Sequence, residues 1–196
     1  MSWTSVSFPS YPQYTVFISL FTGIENDTIS TVKKELIAAN AEYDFCFLNT
    51  YHVVSVEHLY GSIHRSIANY ANDTLKARTV NTEIIFNLSP INKIMEALKK
   101  FGVDEKCPNI IAIKVFKTED IDEKSFIDTN NHLLKLLRIE KDSNIELNDK
   151  TLGQLVDVPK VIKVYKLSDV KISSDESQKQ AQLTRLVVAA CLLRGL

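Results

Sequence analysis

The sequence predicts an α+β fold: a single domain built as a two-layer sandwich, with a small mixed or antiparallel sheet packed against several helices. Three observations predict it. The 196 residues are 45% hydrophobic, enough for one domain with a sizeable core. Segments rich in β-branched and aromatic residues mix with segments of helical period, but without the regular strand–helix–strand rhythm of a parallel sheet. No internal repeat and no shift in composition divides the chain.

The elements follow in order. Residues 1–13 are polar, hold two prolines and show no periodicity, so a flexible arm is expected ahead of one domain over 14–196. YTVFISLF, from Tyr14 to Phe21, has strand composition. Asp27 can cap a helix that runs to Asn40, with Ile29, Val32, Leu36 and Ala39 as its apolar stripe. EYDFCFL, from Glu42 to Leu48, alternates as a half-buried strand does. Ser55 caps a longer helix ending near Asn72, with Leu59, Ile63, Ile67 and Tyr70 at helical spacing.

A strand is expected over Ile84 to Leu88, where Ile84, Ile85 and Phe86 form a short continuous apolar run of the kind covered on both faces. Ser89 as N-cap and Pro90 as first helical residue then open a helix with Ile91, Ile94, Met95, Leu98 and Phe101 on one face. Lys99 and Lys100 complement its negative end, and Gly102 suits a left-handed closing residue. IIAIKVF, from Ile110 to Phe116, is a strand, and a helix is expected over Glu123 to Leu137. The polar stretch RIEKDSNIELNDK leads to a short helix near Lys150, while PKVIKVYKLS fits either a helix starting at Pro159 or a strand. Residues 168–180 are polar and expected to be mobile, and a helix from Glu176 to Arg194 closes the chain.

Composition excludes several function classes. With a formal net charge of −1, the chain as a whole is not drawn to nucleic acid, so any such contact needs a local basic patch. Cys46, Cys107 and Cys191 are odd in number and lack a CxxC pair, which argues against a disulfide framework or a structural zinc site and fits a reducing compartment. No basic, apolar leader opens the sequence, and no run approaches the roughly 20 apolar residues of a membrane helix. A soluble intracellular domain without membrane contact is expected.

The search for catalytic chemistry finds no cluster. Neither GxxxxGK[ST] nor GxGxxG occurs, and the five glycines are scattered, so the Ser89–Pro90 corner reads as architecture rather than a phosphate cradle. His58 and His64 are six residues apart, about 240° around a helix, and cannot face one metal ion. They read as surface or capping histidines. Cys46 reads as a buried thiol. Glu119, Asp120, Asp122 and Glu123 sit where helix starts favour negative charge. No catalytic residue, metal, cofactor or small-molecule substrate is expected.

The apolar run LVVAACLL, residues 186–193, carries more than one apolar face of a helix. A helix docked on its own domain needs only one such stripe. The surplus points to a helix that is either wholly buried or shared with a partner.

RTVNTEIIFNLSPINKIMEALKKFGV closely resembles the core motif of the small kinase-binding subunit family of the KEOPS (EKC) complex. LFTGIEN, KVIKVYKLS and the terminal LVVAACLLRGL extend the resemblance over nearly the whole chain. The amino-terminal arm and the 139–150 loop are long for that family, and Ala189 stands where an acidic residue is expected. The resemblance implies a non-catalytic α+β subunit that binds the small lobe of the complex's atypical kinase/ATPase subunit and supports its activity. It further implies help in holding tRNA, including the 3′ CCA end, for N6-threonylcarbamoyladenosine formation, with a link to telomere maintenance in fungi and a cytoplasmic and nuclear location.

Combined with that resemblance, the helical spacing predicts a kinase-contacting face of Leu183, Val187, Ala190, Cys191 and Arg194. A tRNA-contacting patch is expected at Lys76, Arg78, Lys99 and Lys100, joined by Arg65 if its helix packs alongside. Two rival classes remain from the residues alone: a small intracellular enzyme, and a nucleic-acid-binding domain acting by itself.

Overall fold

All of Tyr14–Phe21 beyond its first residue is buried, which requires cover on both faces of a strand. In the computed structural model, which describes residues 2–140 and 144–194, this strand is β2 and lies at the centre of an antiparallel sheet. It pairs with β1 (Trp3–Ser7) on one side and β4 (Ile110–Lys117) on the other. Beyond β4 lies β3 (Cys46–Asn49), and β5 (Asn144–Ile145) pairs with the last two residues of β2. Within the predicted polar stretch, residues 141–143 lie outside the described residues, as do Met1 of the arm and residues 195–196 of the terminal motif.

Alternation along β2 divides two cores. Val16, Ile18 and Leu20 face one side, with Leu48, Ile111 and Ile113. That core is covered by α2 (Val56–Ala71), α3 (Val80–Asn87), α4 (Ile94–Phe101), α6 (Asp149–Leu155), α7 (Val158–Val164) and α8 (Glu176–Leu192). Phe17 and Phe21 face the other side with Phe47 and Ala112, covered by α1 (Asn26–Ile37) and α5 (Glu123–Leu137). The α+β class stands as predicted, but helices cover both faces of the sheet, giving three layers rather than two.

Ser55 caps as read, whereas Asp27 does not: it lies inside the first turn of α1, whose N-cap is Glu25 without a side-chain bond. Ser55 accepts from the amide of His58 (3.2 Å), and Asp122 forms a capping box with Ser125. Asp157 caps α7, with Pro159 in its first turn, which resolves PKVIKVYKLS as helix.

Five other expectations are corrected. The predicted half-buried strand over Glu42 to Leu48 is only Cys46–Asn49 and wholly buried, with a 3-10 turn over Ala41–Tyr43 before it. Residues 3–7 of the predicted arm form β1, and Phe8 and Tyr11 pack their rings on His64 at 5.2 and 5.7 Å. The predicted strand at 84–88 is instead the end of helix α3, capped by Thr79 and closed by Leu88, because the fully buried run Ile84–Phe86 carries no period that separates strand from helix. Ser89 does not cap α4. Its hydroxyl accepts from the amide of Ile91 (3.0 Å) in a turn, and α4 starts only at Ile94. Gly102 has φ −70°, so no left-handed residue is needed there. Glycine is required because a Cβ would meet the Leu98 carbonyl oxygen at 2.5 Å.

Candidate interaction surfaces

The 82–102 motif builds one end of the molecule around α3. Glu83, wholly buried, accepts from Asn69 Nδ2 (2.8 Å) and from the amides of Lys76 (3.0 Å) and Ala77 (2.8 Å). The carboxylate thus shapes the turn that carries Lys76 and Arg78, both exposed.

At the other end of α3, unpaired carbonyls meet donors from three elements. The Leu88 carbonyl receives Tyr165 OH (2.7 Å) and Cys191 Sγ (3.3 Å), with His58 Nε2 at 3.1 Å. Arg194 donates to the carbonyls of Phe86 and Ser89 and to Asn87 Oδ1, with its guanidinium 3.7 Å from the centre of the Phe86 ring. A cation here also complements the negative helix end. His58 is therefore a buried structural histidine, not a surface one.

This node fixes the orientation of α8. Leu183, Val187 and Cys191 are 2%, 0% and 7% exposed and belong to the core under the sheet. Ala190 is half-buried against the same core, and Arg194 is committed to α3. The face predicted to meet a kinase is thus the face that docks on the protein's own domain. In a run of eight apolar residues no polar side chain marks the solvent side, so the sequence does not orient the helix. The surplus apolar surface lies opposite. Leu192 and Leu193 are 63% and 60% exposed, beside exposed Ala189 and half-buried Val188. Ala189, the departure from the expected acidic residue, faces solvent.

Arg65 does not join the other basic residues. Its guanidinium donates to the Cys191 carbonyl at 3.1 Å, closing the carboxyl end of α8. Lys99 and Lys100 are exposed in the last turn of α4. Lys99 and Lys33 line a cavity of about 540 Å³ whose walls include Phe45, Ile85, Leu98 and the side chains of Ile37 and Met95, which are 81% and 77% exposed. Asn81 and Thr82 of α3 also line it. Sequence reasoning missed this cavity because its walls come from α1, β3, α3 and α4, and nothing in the local patterns brings them together. A second, more polar cavity of about 610 Å³ shares Lys33, Lys99 and Val103 with the first.

Among the described residues, no group of three or more His, Cys, Asp or Glu side chains is arranged to hold a metal ion. No helix of the described residues is long and apolar enough to cross a membrane. Cys46, Cys107 and Cys191 are buried and free, and burial pushes the Cys46 thiol far up.

Comparison with known proteins agrees with the motif. Residues 21–195 match the family described as kinase binding protein CGI-121. A Debaryomyces hansenii protein named EKC/KEOPS complex subunit CGI121 is 51% identical over the whole of both chains. A Candida albicans protein of that name is 40% identical over 97% of each chain, and one from Aspergillus fumigatus is 29% identical over 92% of this chain and 89% of its own. The buried α3 corner, the docked terminal helix and these matches lead to one assignment: the chain belongs to the CGI-121 family of kinase-binding proteins.

Proposed function

We propose that this protein is a non-catalytic regulatory subunit of a KEOPS/EKC complex, docking on the small lobe of the atypical kinase/ATPase subunit through the outward face of α8. The observation that carries the reading is the apolar end of that helix: Leu192 and Leu193 stay largely exposed although the helix has already buried a full stripe. Large exposed apolar side chains gathered at one place mark a protein interface. The family description and the names of the relatives supply the partner class. The kinase-contacting set therefore moves to Val188, Ala189, Leu192 and Leu193.

The same reading includes support of the partner's ATPase activity and recruitment of tRNA by its 3′ CCA end for N6-threonylcarbamoyladenosine formation. It also includes a link to telomere maintenance, with work in cytoplasm and nucleus. The cavity between α3 and α4 supports the tRNA part. Apolar walls suit a base, and Lys33 and Lys99 on the rim suit its phosphate.

The test is a pull-down of the kinase subunit by the Leu192→Ala/Leu193→Ala protein. Losing two apolar anchors is expected to cost about 3 kcal/mol, roughly a hundredfold in Kd, with an unchanged melting temperature because both side chains are exposed. Wild-type affinity in this variant would reject the face.

A further inference from the structure

A small cavity of about 50 Å³ lies between α2 and α8, with room for roughly one or two water-sized groups. His58, Ser62 and Arg65 line it from α2, Asn87 from α3, and Val188 and Leu192 from α8. Gly61 stands in the same wall, exposed in the middle of a 16-residue helix, and a Cβ on it would meet nothing within 4 Å. Bare backbone therefore forms this part of the wall, which leaves a way in from solvent.

His58 brings an unsatisfied acceptor to the cavity. Its Nε2 lies 3.1 Å from the Leu88 carbonyl oxygen, which can only accept, so Nε2 carries the ring proton and Nδ1 is bare. Nδ1 is buried and meets no hydrogen-bond partner among the described residues. A buried acceptor left without a donor is costly, and the neighbouring donors are committed elsewhere. Ser62 Oγ donates to the Leu59 carbonyl (2.7 Å), and Asn87 Nδ2 donates to Ser66 Oγ (2.9 Å). The Arg65 guanidinium uses one N–H on the Cys191 carbonyl (3.1 Å) and has further N–H groups to offer.

We infer that this cavity is a binding site for one small hydroxyl group, which donates to His58 Nδ1. The chemistry of the wall selects a hydroxyl over a charged group. An anion would pair with Arg65 but has no proton for a bare nitrogen. An ammonium group would supply the proton but would sit against the charge of Arg65. A hydroxyl does both: it donates to Nδ1, and its oxygen can accept from Arg65. Water is one source. The other is a hydroxymethyl-sized side chain of a partner that covers Val188 and Leu192. The site lies at the root of the outward face of α8 yet stands independently of kinase docking, because it rests on His58 and Arg65 of α2.

The test is nitrogen NMR of the full chain with isotope-labelled histidines at pH 7, where His58 is neutral, both free and saturated with the kinase subunit. His58 is recognised by its contact with the Tyr165 ring, 6.0 Å between ring centres. The expected spectrum has the proton on Nε2 and a bare Nδ1 shifted into the hydrogen-bonded range. In the free protein, a cross-relaxation peak joins water to the His58 ring. In the complex, a hydrogen-bonded Nδ1 that keeps this peak assigns the hydroxyl to solvent, and one that loses it assigns the hydroxyl to the partner. An Nδ1 signal at the position of a free nitrogen, or a proton on Nδ1, overturns the site. Failure of the kinase subunit to bind removes the docking reading, and the spectrum of the free protein still decides the site.

Discussion

The Leu88 carbonyl oxygen collects donors from three elements, and the three titratable side chains that contact it, His58, Tyr165 and Cys191, are each driven to the neutral form. Burial, offset in part by the bond to Leu88, lowers His58 to about 4; burial raises the Cys191 thiol to about 11 and the Tyr165 phenol well above its ordinary range. His52, 4.8 Å from the Phe101 ring and 3.2 Å from Asn49 Oδ1, is likewise lowered to about 4, by burial first and then by Lys160. Both histidines bind a proton more readily in the unfolded chain than in the folded one. Their contribution to stability is therefore full above pH 6.5 and lost as the pH falls from 6.5 towards 4. Each drop corresponds to about 3 kcal/mol, so urea unfolding is expected to show a steep loss of stability across that window. Replacing His58 by Asn should flatten the profile. A profile already flat in the wild type would contradict the neutral node. None of this was legible in the sequence, where His58 is one polar residue on a helix and its partners lie 30 and 107 positions away.

At the scale of elements, legibility followed capping chemistry. Ser55 is a local signal and its helix begins where that residue indicates; Asp122 and Asp157 cap in the same way, but Asp27, read as a cap, lies inside α1. Ile84, Ile85 and Phe86 carry no such signal of their own. They are buried on every side, and the decisive residues were Thr79 and Glu83 just upstream, one capping the helix and the other pinning the turn before it. The orientation of α8 was hidden for a similar reason: the Tyr165, Leu88 and Arg194 contacts that select its inner face are all long-range. Cys191→Arg now serves as a stability test rather than a binding test. It places an unpaired charge among His58, Tyr165 and Leu88 and is expected to cost about 3–5 kcal/mol. A denaturation midpoint within experimental error of wild type would refute the docked orientation.

For the whole molecule, the sheet is the unit that the helices share, and its edge is closed by the segment that reads as an arm. β1 is five residues long and largely polar, as edge strands tend to be, and so escapes detection. Its Trp3 stacks 6.3 Å from Phe17, and the Ser2 carbonyl accepts from Ser19 Oγ and Asn144 Nδ2. Removing residues 1–7 is expected to lower stability by about 3 kcal/mol while leaving kinase binding intact, read by urea unfolding and pull-down in parallel. Loss of binding with unchanged stability would point to a direct contact by the arm instead. At the opposite side of the same body, α3 has Asn81 and Thr82 in the wall of the apolar cavity and Phe86 and Asn87 in the grip of Arg194, next to the bare leucines that end α8. Eight helical residues span only about 12 Å. A rod that short cannot flex, so it works as a ruler: anything seated on the leucine tip and anything lodged in the cleft are kept at one set interval and angle, with no hinge to take up slack between them.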